Sequence, residues 1–420
     1  MIDYGALPKR TIFCIDMKSF YASCAALDRG LDPLTTYLAV VADTNREGSV
    51  VLAATPVLKH EFGIRTGNRL FEIPRDDRII IVPAQMNLYL KVSVEITRLF
   101  NKYVPQEAIH TYSVDESFLD VSGTCRLFGD YDQLAKRIID ELKDTFGLTA
   151  TIGIGPNMLM AKLCLDLEAK KTRIAHWTYD DIPTKLWPIK PLSKMWGIGR
   201  PLEKRLNRMG IITVGDLAHY PLTQLEKVFG VMGNQLYYHA HGVDLSQLET
   251  PLLTEQVSYG KSQILLRDYH HPEKIAHVIL EMCEEVARRA REDRKAGRTI
   301  YLGIGYSKHD GGGGFYRSLS RETPTNITME IYAACMYLFR QFYTHKTVRK
   351  ISVSLGQIVE DNQLQLQLFA GNRLREQNLG YVMDDIRQYY GSDALLRAIS
   401  FTEYGTARHR SQLVGGHYAT

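Results

Sequence analysis

The stretch "YSVDESFLD", Tyr112 to Asp120, places two acidic residues side by side in a run that otherwise predicts a β-strand. Successive strand residues point to opposite faces, so Asp115 and Glu116 should point in opposite directions. One interpretation is a solvated hairpin turn, where acidic residues are common. The other is that the strand ends here, so that both carboxylates turn toward one point and hold something positively charged.

The segments around this stretch predict a β-α-β-β-α-β order. "TIFCIDMKSFYASCAAL" predicts a strand from Thr11 to Ile15 and a helix from about Lys18. "IHTYSV" and "SFLDVSG" predict a hairpin with Asp115 and Glu116 at its tip, and "YDQLAKRIIDELKDTFG" and "TATIGIG" add a helix and a strand. This is the ferredoxin-like pattern, with residues from about 29 to 78 inserted after the first helix.

The rest of the chain predicts two further kinds of structure. Residues 177–250 resemble short helices joined by glycine turns, and from about Val257 a second β-α-β-β-α-β order follows. Recurrence of one fold is a safer interpretation of this second unit than internal duplication. The last 60 or so residues combine a polar start, one helix and a basic end. The predicted fold class is an α+β multidomain protein.

The composition is that of an intracellular protein with a charge balance near neutrality. A length of 420 residues suggests about three domains, and a net charge of +4 permits a polyanionic partner only through a local basic surface. The six cysteines are scattered without the spacing of a zinc site, which indicates reduced thiols. No apolar run approaches a membrane span and the start lacks a signal peptide. We therefore expect a cytoplasmic protein without a membrane partner.

Three acids are expected to meet at one end of the first sheet. Asp16 lies where the first strand turns into its helix, and the first strand neighbours the central hairpin in this fold. Three clustered carboxylates repel one another unless a cation lies between them. Mg²⁺ takes one or two carboxylates together with substrate phosphates, and two such ions about 4 Å apart promote in-line phosphoryl transfer. The pattern therefore indicates a site with two Mg²⁺ ions.

Residues suited to a nucleoside triphosphate lie near these acids in the predicted fold. Lys162, in "LMAKLCLD", falls early in a helix and would place a positive charge on a phosphate. The alternative interpretation of Lys162 is a lysine on the solvated surface of a helix. Phe20 and Tyr21 follow Asp16 by about one helical turn and would flank the metal site; their alternative is core packing.

Together, "IDMKSFYA", "YSVDESFLD" and "GIGPNMLMAKLCLD" resemble the palm motifs of the Y-family, or translesion, DNA polymerases. The details are most similar to the UmuC-like branch associated with the SOS response, a UV-damage-repair type found in Gram-positive bacteria. The resemblance covers nearly the whole chain in order. It implies a ferredoxin-like palm at residues 1–28 and 79–176 and inserted fingers at 29–78. It further implies a helical thumb at 177–250, a β-α-β-β-α-β little finger at 251–360 and a tail at 361–420.

The resemblance assigns roles at the metal site. Asp16 and Asp115 would bridge both Mg²⁺ ions, Glu116 would bind the catalytic ion, and the Met17 carbonyl would complete the nucleotide-side ion.

The resemblance also assigns roles around the nucleotide. Tyr21 would be the steric gate, because its ring would clash with a ribose 2′-OH. Backbone N–H groups near Phe20 and Tyr21, with Lys162, would hold the triphosphate. The small residues Ala53 and Ala54 would cover the nascent base pair without gripping it.

The fingers loop departs from the family pattern. Many members have a Tyr and an Arg three positions apart before the "FG" turn, and both touch the triphosphate. This chain has "TPVLKHEFGIRTG", which places Val57 and His60 there. Lys59 or His60 would take over the phosphate contact.

Residues 195–218 contain a helix-hairpin-helix pattern around a Gly-Ile-Gly turn. In this motif the free N–H groups at a helix start face a DNA phosphate; a capped helix pair without a ligand is the alternative. The residues predicted to contact DNA are Gly197, Ile198, Gly199, Arg200 and Lys204, with Arg208 nearby.

Residues 251–350 hold 16 Lys and Arg against 11 Asp and Glu. This local excess suits sequence-independent contacts to a DNA backbone, although a solvated helix surface would explain part of it. Lys261, Ser262 and Arg317 are the predicted phosphate contacts.

"QLQLF", with Gln365, Leu366, Leu368 and Phe369, resembles the peptide by which bacterial proteins bind the sliding clamp. A short apolar segment beyond a complete domain can dock in a groove on a partner. Its alternative is an edge strand with alternating leucines.

The predicted function is an error-prone, low-processivity DNA polymerase that carries out translesion synthesis. Its predicted partners are primer-template DNA, a dNTP and the replicative sliding clamp (the β clamp), with a recombinase or other SOS factors as further candidates. A nucleotide cyclase with a similar palm and a non-catalytic DNA- or clamp-binding scaffold are the alternatives.

Overall fold

The computed structural model describes residues 2–248, 257–361 and 372–419, without the side chains of Cys125 and Arg126. The "QLQLF" segment lies outside these residues. The chain divides into two compact units, the first formed by Met1–Pro251 with His417–Thr420 and the second by Leu252–Gly416.

The first unit begins with alternating strands and helices. Its elements are β1 (Ile12–Met17), α1 (Phe20–Leu27), β2 (Leu38–Val41), β3 (Val51–Ala54), α2 (Pro56–Glu61), β4 (Ile80–Pro83), α3 (Met86–Phe100), β5 (Ile109–Thr111), β6 (Glu116–Asp120), α4 (Cys125–Phe128), α5 (Tyr131–Phe146), β7 (Ala150–Gly155), α6 (Met158–Cys164), α7 (Lys170–Thr172) and β8 (Ile174–His176). Short helices follow: α8 (Arg200–Arg208), α9 (Val214–His219), α10 (Leu222–Phe229) and α11 (Val231–Ala240).

A five-stranded sheet in the order β5-β6-β1-β7-β8 carries the predicted acids. The apolar run of β1 is buried throughout its first four residues, as expected for a central strand covered on both faces. β1 runs antiparallel to β6 and β7, and Asp16 lies opposite Glu116 and Thr151. The first four strands of the order match the predicted ferredoxin-like arrangement, and β8 adds a parallel edge strand that the sequence did not predict.

The inserted segment forms its own three-stranded sheet in the order β3-β2-β4. β2 pairs antiparallel with β3 and parallel with β4. The boundary at residue 79 assigned β4 to the palm. That assignment needs correction, because the hydrogen bonds of β4 join the fingers sheet; the insert extends through Pro83.

The helices after β8 share an apolar core with α6. Its buried members include Leu206, Ile211, Val214, Leu217 and Leu225, which belong to three short helices and the turn between two of them. Before the Gly-Ile-Gly turn the chain makes a single 3-10 turn, Leu192–Lys194, where a helix was predicted.

The second unit has the predicted β-α-β-β-α-β order. Its elements are β9 (Ser258–Tyr269), α12 (Pro272–Glu292), β10 (Lys295–Tyr306), β11 (Gly314–Thr325), α13 (Thr328–Phe342) and β12 (Val348–Glu360), followed by α14 (Arg373–Tyr390), α15 (Ala407–Ser411) and β13 (Leu413–Val414); β14 (His417–Tyr418) belongs to the first unit.

The sheet of the second unit has the order β11-β10-β12-β9, which differs from that of the first. In the first unit the initial strand β1 is central, whereas here β9 lies at the edge. Both helices α12 and α13 cover one face of the sheet and bury a core that includes Ile300, Leu302 and Val353. The shared element order therefore does not make the two units copies of one topology.

The mixed α/β architecture agrees with the predicted fold class. In the part of the chain that the structure describes, no helix is both long and apolar enough to cross a membrane.

Candidate active site

The cleft at the end of β1 is built from three parts of the first unit. It has a volume of about 280 Å³ and is lined by side chains from the β1–α1 turn, the fingers sheet and helix, and the β5–β6 turn: Asp16, Met17, Ser19, Phe20, Tyr21, Leu52, Ala53, Lys59, Thr66, Val114 and Asp115. The sequence identified most of these residues. It missed Ser19 and Val114, which lie inside the quoted motifs, and Leu52 and Thr66, for which no motif gave a signal.

The two aspartates enter the cleft from adjacent backbone segments. The N–H of Met17 donates to the Asp115 carbonyl at 2.9 Å, which fixes the hairpin turn against the end of β1. The Asp115 carboxylate accepts a hydrogen bond from Ser113 Oγ at 2.6 Å. The acids therefore converge because the strand ends there, and the solvated-turn interpretation does not describe this geometry.

Burial raises the pKa of Asp16 to about 6, and the nearby carboxylates of Asp115 and Glu116 add to the shift. Lys170 opposes it from 3.8 Å. A carboxylate that is desolvated and faces other carboxylates is stabilised by a bound cation. The electrostatics of Asp16 therefore suit a metal ligand.

Glu116 points away from the cleft, beneath the two aspartates. Its carboxylate accepts hydrogen bonds from Lys162 Nζ at 2.8 Å and from Cys14 Sγ at 3.2 Å. Within the described residues, no group of three His, Cys, Asp or Glu side chains is arranged to hold a metal ion. The acidic pair of "YSVDESFLD" is thus divided, with Asp115 in the cleft and Glu116 in a buried ion pair.

Lys162, the predicted phosphate contact, is not brought to the cleft in the free protein. Lys162 is only 10% exposed, binds Glu116 at 2.8 Å and Asp166 at 3.0 Å, and does not line the cleft. These two carboxylates raise the pKa of Lys162 against the effect of its burial. Lys162 is therefore the counter-ion of Glu116.

The position of Lys162 depends on a close approach between α6 and β7. A Cβ atom at Gly153 would overlap the backbone of Ala161 and Leu165, and one at Gly155 would overlap Ala161. Glycine at these two positions lets the helix lie directly on the strand beside β1.

Lys59 is the cation that the fingers bring to the cleft. Its ammonium donates to Ser19 Oγ at 2.8 Å, and burial lowers its pKa. Ser19 adopts a left-handed conformation, φ 53°, immediately before α1. His60 is exposed and does not line the cleft. Of the two residues predicted to replace the family's phosphate contacts, the structure brings only Lys59 to the site.

Tyr21 extends into the cleft with its ring supported from behind. It stacks on Tyr89 of α3 with centroids 4.4 Å apart and an angle of 15° between the planes. Tyr89 is fully buried, and its hydroxyl has no hydrogen-bond partner among the residues that the structure describes. The sequence analysis did not single out Tyr89. Ala53 lines the cleft, whereas Ala54 is buried in the core of the insert.

The Gly-Ile-Gly turn presents an open helix start. Gly197 has a φ of 91°, Ile198 is buried, and Gly199 precedes α8 without a side-chain cap. The first N–H groups of a helix lack partners within it and attract anions. Arg200 and Lys204 lie exposed one turn apart on α8, and Arg208 follows one turn later.

The three predicted contacts in the second unit do not share one face. Ser262 lies on the face without helices and its Oγ is 2.8 Å from Ser352 Oγ. Lys261 lies one residue away and therefore on the α12 side, and Arg317 places its guanidinium 5.0 Å from the ring centre of Phe342 on α13. The two-residue alternation of β9 already predicts that Lys261 and Ser262 lie on opposite faces, because Tyr259, Lys261 and Leu265 share a face.

A ferredoxin-like palm with two aspartates in a cleft closed by an inserted sheet defines the class of palm-type nucleotide polymerases. The impB/mucB/samB family matches residues 15–166 and its C-terminal domain matches 256–368; the DNA polymerase-iota thumb domain matches 193–244. The chain belongs to this family, the Y-family of translesion DNA polymerases, and is a DNA-directed DNA polymerase.

Relatives in bacteria agree with this membership. A "Putative UV-damage repair protein UvrX" of Bacillus subtilis (strain 168) is 58% identical over 99% of this chain and 100% of its own length. A "DNA polymerase IV 2" of the same strain is 37% identical over 98% of this chain and 100% of its own. The solved "Y-family DNA polymerase chimera Dbh-Dpo4(243-245)-Dbh" has a TM-score of 0.66 at 20% identity, covering 83% of this chain and 99% of that one. The predicted family and fold are confirmed.

Proposed function

We propose that the cleft holds an incoming dNTP opposite a template base and joins it to a primer 3′-OH, using two Mg²⁺ ions. The observation that carries this proposal is the convergence of Asp16 and Asp115 in one cleft with Lys59, two anionic oxygen donors facing one phosphate-binding cation. The relatives named for UV-damage repair and DNA polymerase IV support lesion bypass as its setting.

The donor set fits divalent metal ions, which polymerases of this family use. Asp16, Asp115 and the Met17 carbonyl supply hard oxygen ligands, and Mg²⁺ needs one or two carboxylates together with substrate phosphates. When bound, the metal ions supply charge stabilisation for the attacking and leaving oxygens. Glu116 is a ligand only if its bond to Lys162 is exchanged, so we assign Glu116 a supporting position beneath Asp16 and Asp115.

The protein groups of the cleft bind and orient the nucleotide. Lys59 donates to a non-bridging phosphate oxygen in place of Ser19, and the N–H groups of Phe20 and Tyr21 at the start of α1 receive the same triphosphate. Ala53 faces the base pair with a single methyl group, which grips damaged bases less than a large side chain. The Tyr21 ring lies where a ribose 2′-OH would extend and so acts as the steric gate.

DNA contacts follow from charge and exposure. Gly197, Ile198, Gly199, Arg200 and Lys204 present N–H groups and cations for a backbone phosphate, and Ser262 lies on the helix-free face of the second unit. The "QLQLF" residues would tether the enzyme to the β clamp, which raises the effective concentration at the primer end. Because DNA and dNTPs are its substrates, we place the enzyme in the bacterial cytoplasm.

Primer extension across an abasic template position tests the proposed function. We expect Mg²⁺-dependent extension past the lesion by the full chain. A cyclase would convert a nucleoside triphosphate to a cyclic product without DNA, and a scaffold would bind the primer-template without extending it. Either result, obtained with correctly folded protein, would overturn the proposal.

A further inference from the structure

A second cavity lies within the second unit, between α12 and the segment that follows α14. Its volume is about 280 Å³, and it is lined by side chains of β9, α12, α14 and α15. None of its residues belongs to the proposed active site. The C-terminal segment thus encloses a space for which the polymerase reaction gives no use.

The cations of this cavity outnumber its carboxylates. Five basic side chains line it, Lys261, Arg288, Arg289, Arg387 and Arg410, against three acidic ones, Glu281, Glu284 and Glu285. Two of these cations also pair with carboxylates beside the cavity, Arg288 with Glu292 at 2.9 Å and Arg387 with Asp384 at 3.7 Å.

The three carboxylates already have partners in the protein. Glu281 accepts hydrogen bonds from the Thr406 N–H at 2.9 Å and its hydroxyl at 2.8 Å, and pairs with Arg410 at 3.3 Å. Glu284 pairs with Arg387 at 3.1 Å and Arg397 at 3.3 Å.

Glu285 is likewise held by two guanidiniums, those of Arg288 at 3.2 Å and Arg289 at 2.9 Å. The acids are therefore fixed in place and are not free to neutralise a further cation.

Lys261 is that further cation. Among the described residues, its ammonium has no salt-bridge or hydrogen-bond partner. Burial lowers its pKa, the charges of Arg289 and Arg410 lower it further, and Glu285 only partly opposes them. Burial also lowers the pKa of Arg410, whose side chain is 11% exposed. Arg410 keeps Glu281 as its partner, so among the described residues Lys261 is the cation of this cavity that lacks a carboxylate bound to it.

We propose that this cavity binds the phosphate group of a small anion between Lys261, Arg289 and Arg410. Guanidinium forks match phosphate oxygens in geometry, and an ammonium adds a point charge. A phosphate group would supply the negative charge that Lys261 lacks in the free protein. Inorganic phosphate, the pyrophosphate that polymerisation releases and a nucleoside monophosphate all carry this group.

Isothermal titration of the full chain in EDTA, with phosphate, pyrophosphate or AMP in turn, tests the site and identifies which carrier it prefers. We expect saturable binding of at least one of them, weakened by about tenfold in Lys261→Met, because a hydrogen bond to a charged group is lost. Lys261→Arg should retain binding. Lys308→Met, at an exposed lysine of the same unit, is the matched control.

Lys59→Met separates this cavity from the polymerase cleft, which also attracts phosphates. Loss of binding in Lys59→Met but not in Lys261→Met would overturn the proposal, as would the absence of saturable binding by all three anions. Because Lys261 is unpaired in the free protein, we expect Lys261→Met to fold and to melt no lower than the unsubstituted chain without ligand. A markedly lower melting temperature would show instead that Lys261 is a structural residue.

Discussion

Both sheets of the molecule place one aspartate at the penultimate residue of their first strand and another in the turn of their central hairpin. In the first unit these are Asp16 and Asp115, and both line the cleft. In the second they are Asp268 and Asp310.

The aspartates of the second unit are held by its own groups. Asp268 accepts from Ser307 Oγ at 2.8 Å and pairs with Arg349 at 3.1 Å, and Asp310 accepts from the Thr347 N–H at 2.7 Å. The two units thus share an element order and a placement of acids, but only the aspartates of the first unit line the cleft. The two units therefore differ in the surroundings of the acids at their strand ends, which a shared element order does not determine.

The largest expected effect comes from Asp115, the hairpin aspartate of the first unit, and its counterpart Asp310 is the matched control. Asp115→Ala should lower the rate of primer extension by about a thousandfold or more, since it removes a ligand of the charge-stabilising metal ions. Asp310→Ala should leave the rate unchanged and lower the melting temperature. Single-turnover extension with DNA binding measured in parallel checks both; equal losses in the two variants would remove the distinction between the units.

Tyr21→Ala should produce the next largest effect. Forcing an extra hydroxyl against a packed ring costs about 1–3 kcal/mol, so ribonucleotide discrimination should fall by about tenfold to a hundredfold. The ratio of kcat/KM for a dNTP and its rNTP measures this. Tyr301→Ala removes a stacked tyrosine of the second unit and should leave the ratio unchanged. An unaltered ratio in Tyr21→Ala would dismiss Tyr21 as the gate.

Lys59→Ala should raise the KM for dNTP by about tenfold, the value of one hydrogen bond to a charged group. Steady-state extension at varied dNTP provides the measurement. Arg349→Ala, which removes the cation paired with Asp268, should affect stability and not the KM. If both variants raised the KM alike, Lys59 would not be a specific contact of the dNTP phosphates.

The smallest predicted effect concerns the ring behind the gate. An aromatic pair contributes about 0.5–1.5 kcal/mol, so Tyr89→Leu should weaken ribonucleotide discrimination by about two- to tenfold. Phe339→Leu disrupts a comparable stack with Tyr343, 4.5 Å between centroids, in the second unit. Both variants should lose stability, but only Tyr89→Leu should change sugar selectivity. A change in both, or in neither, would mean that the stack does not position Tyr21.

The sequence predicted the features that depend on local pattern and strand order. Asp115 of "YSVDESFLD" meets Asp16 because a hairpin turn must meet the end of its neighbouring strand. The glycine turn before Arg200 and the element order of the second unit follow from equally local signals.

The sequence patterns did not reveal which residues contact each other when they lie far apart in the chain. Whether Lys162 faces a phosphate or Glu116 depends on how far α6 lies from β7, and that distance is set by contacts between separate segments. The stack of Tyr89 on Tyr21 and the edge position of β9 likewise arise from tertiary pairing. The placement of Lys261 and Ser262 on opposite faces could have been predicted, because successive strand residues alternate between faces.

The glycines of β7 have a consequence for inherited variation in this enzyme. A substitution at Gly153 would push α6 outward and move the lysine that neutralises Glu116, while leaving every residue of the cleft unaltered. Loss of nucleotide incorporation would then arise at a position with no contact to substrate. Such an allele would resemble an active-site lesion in the cell although its origin is the spacing of two backbones.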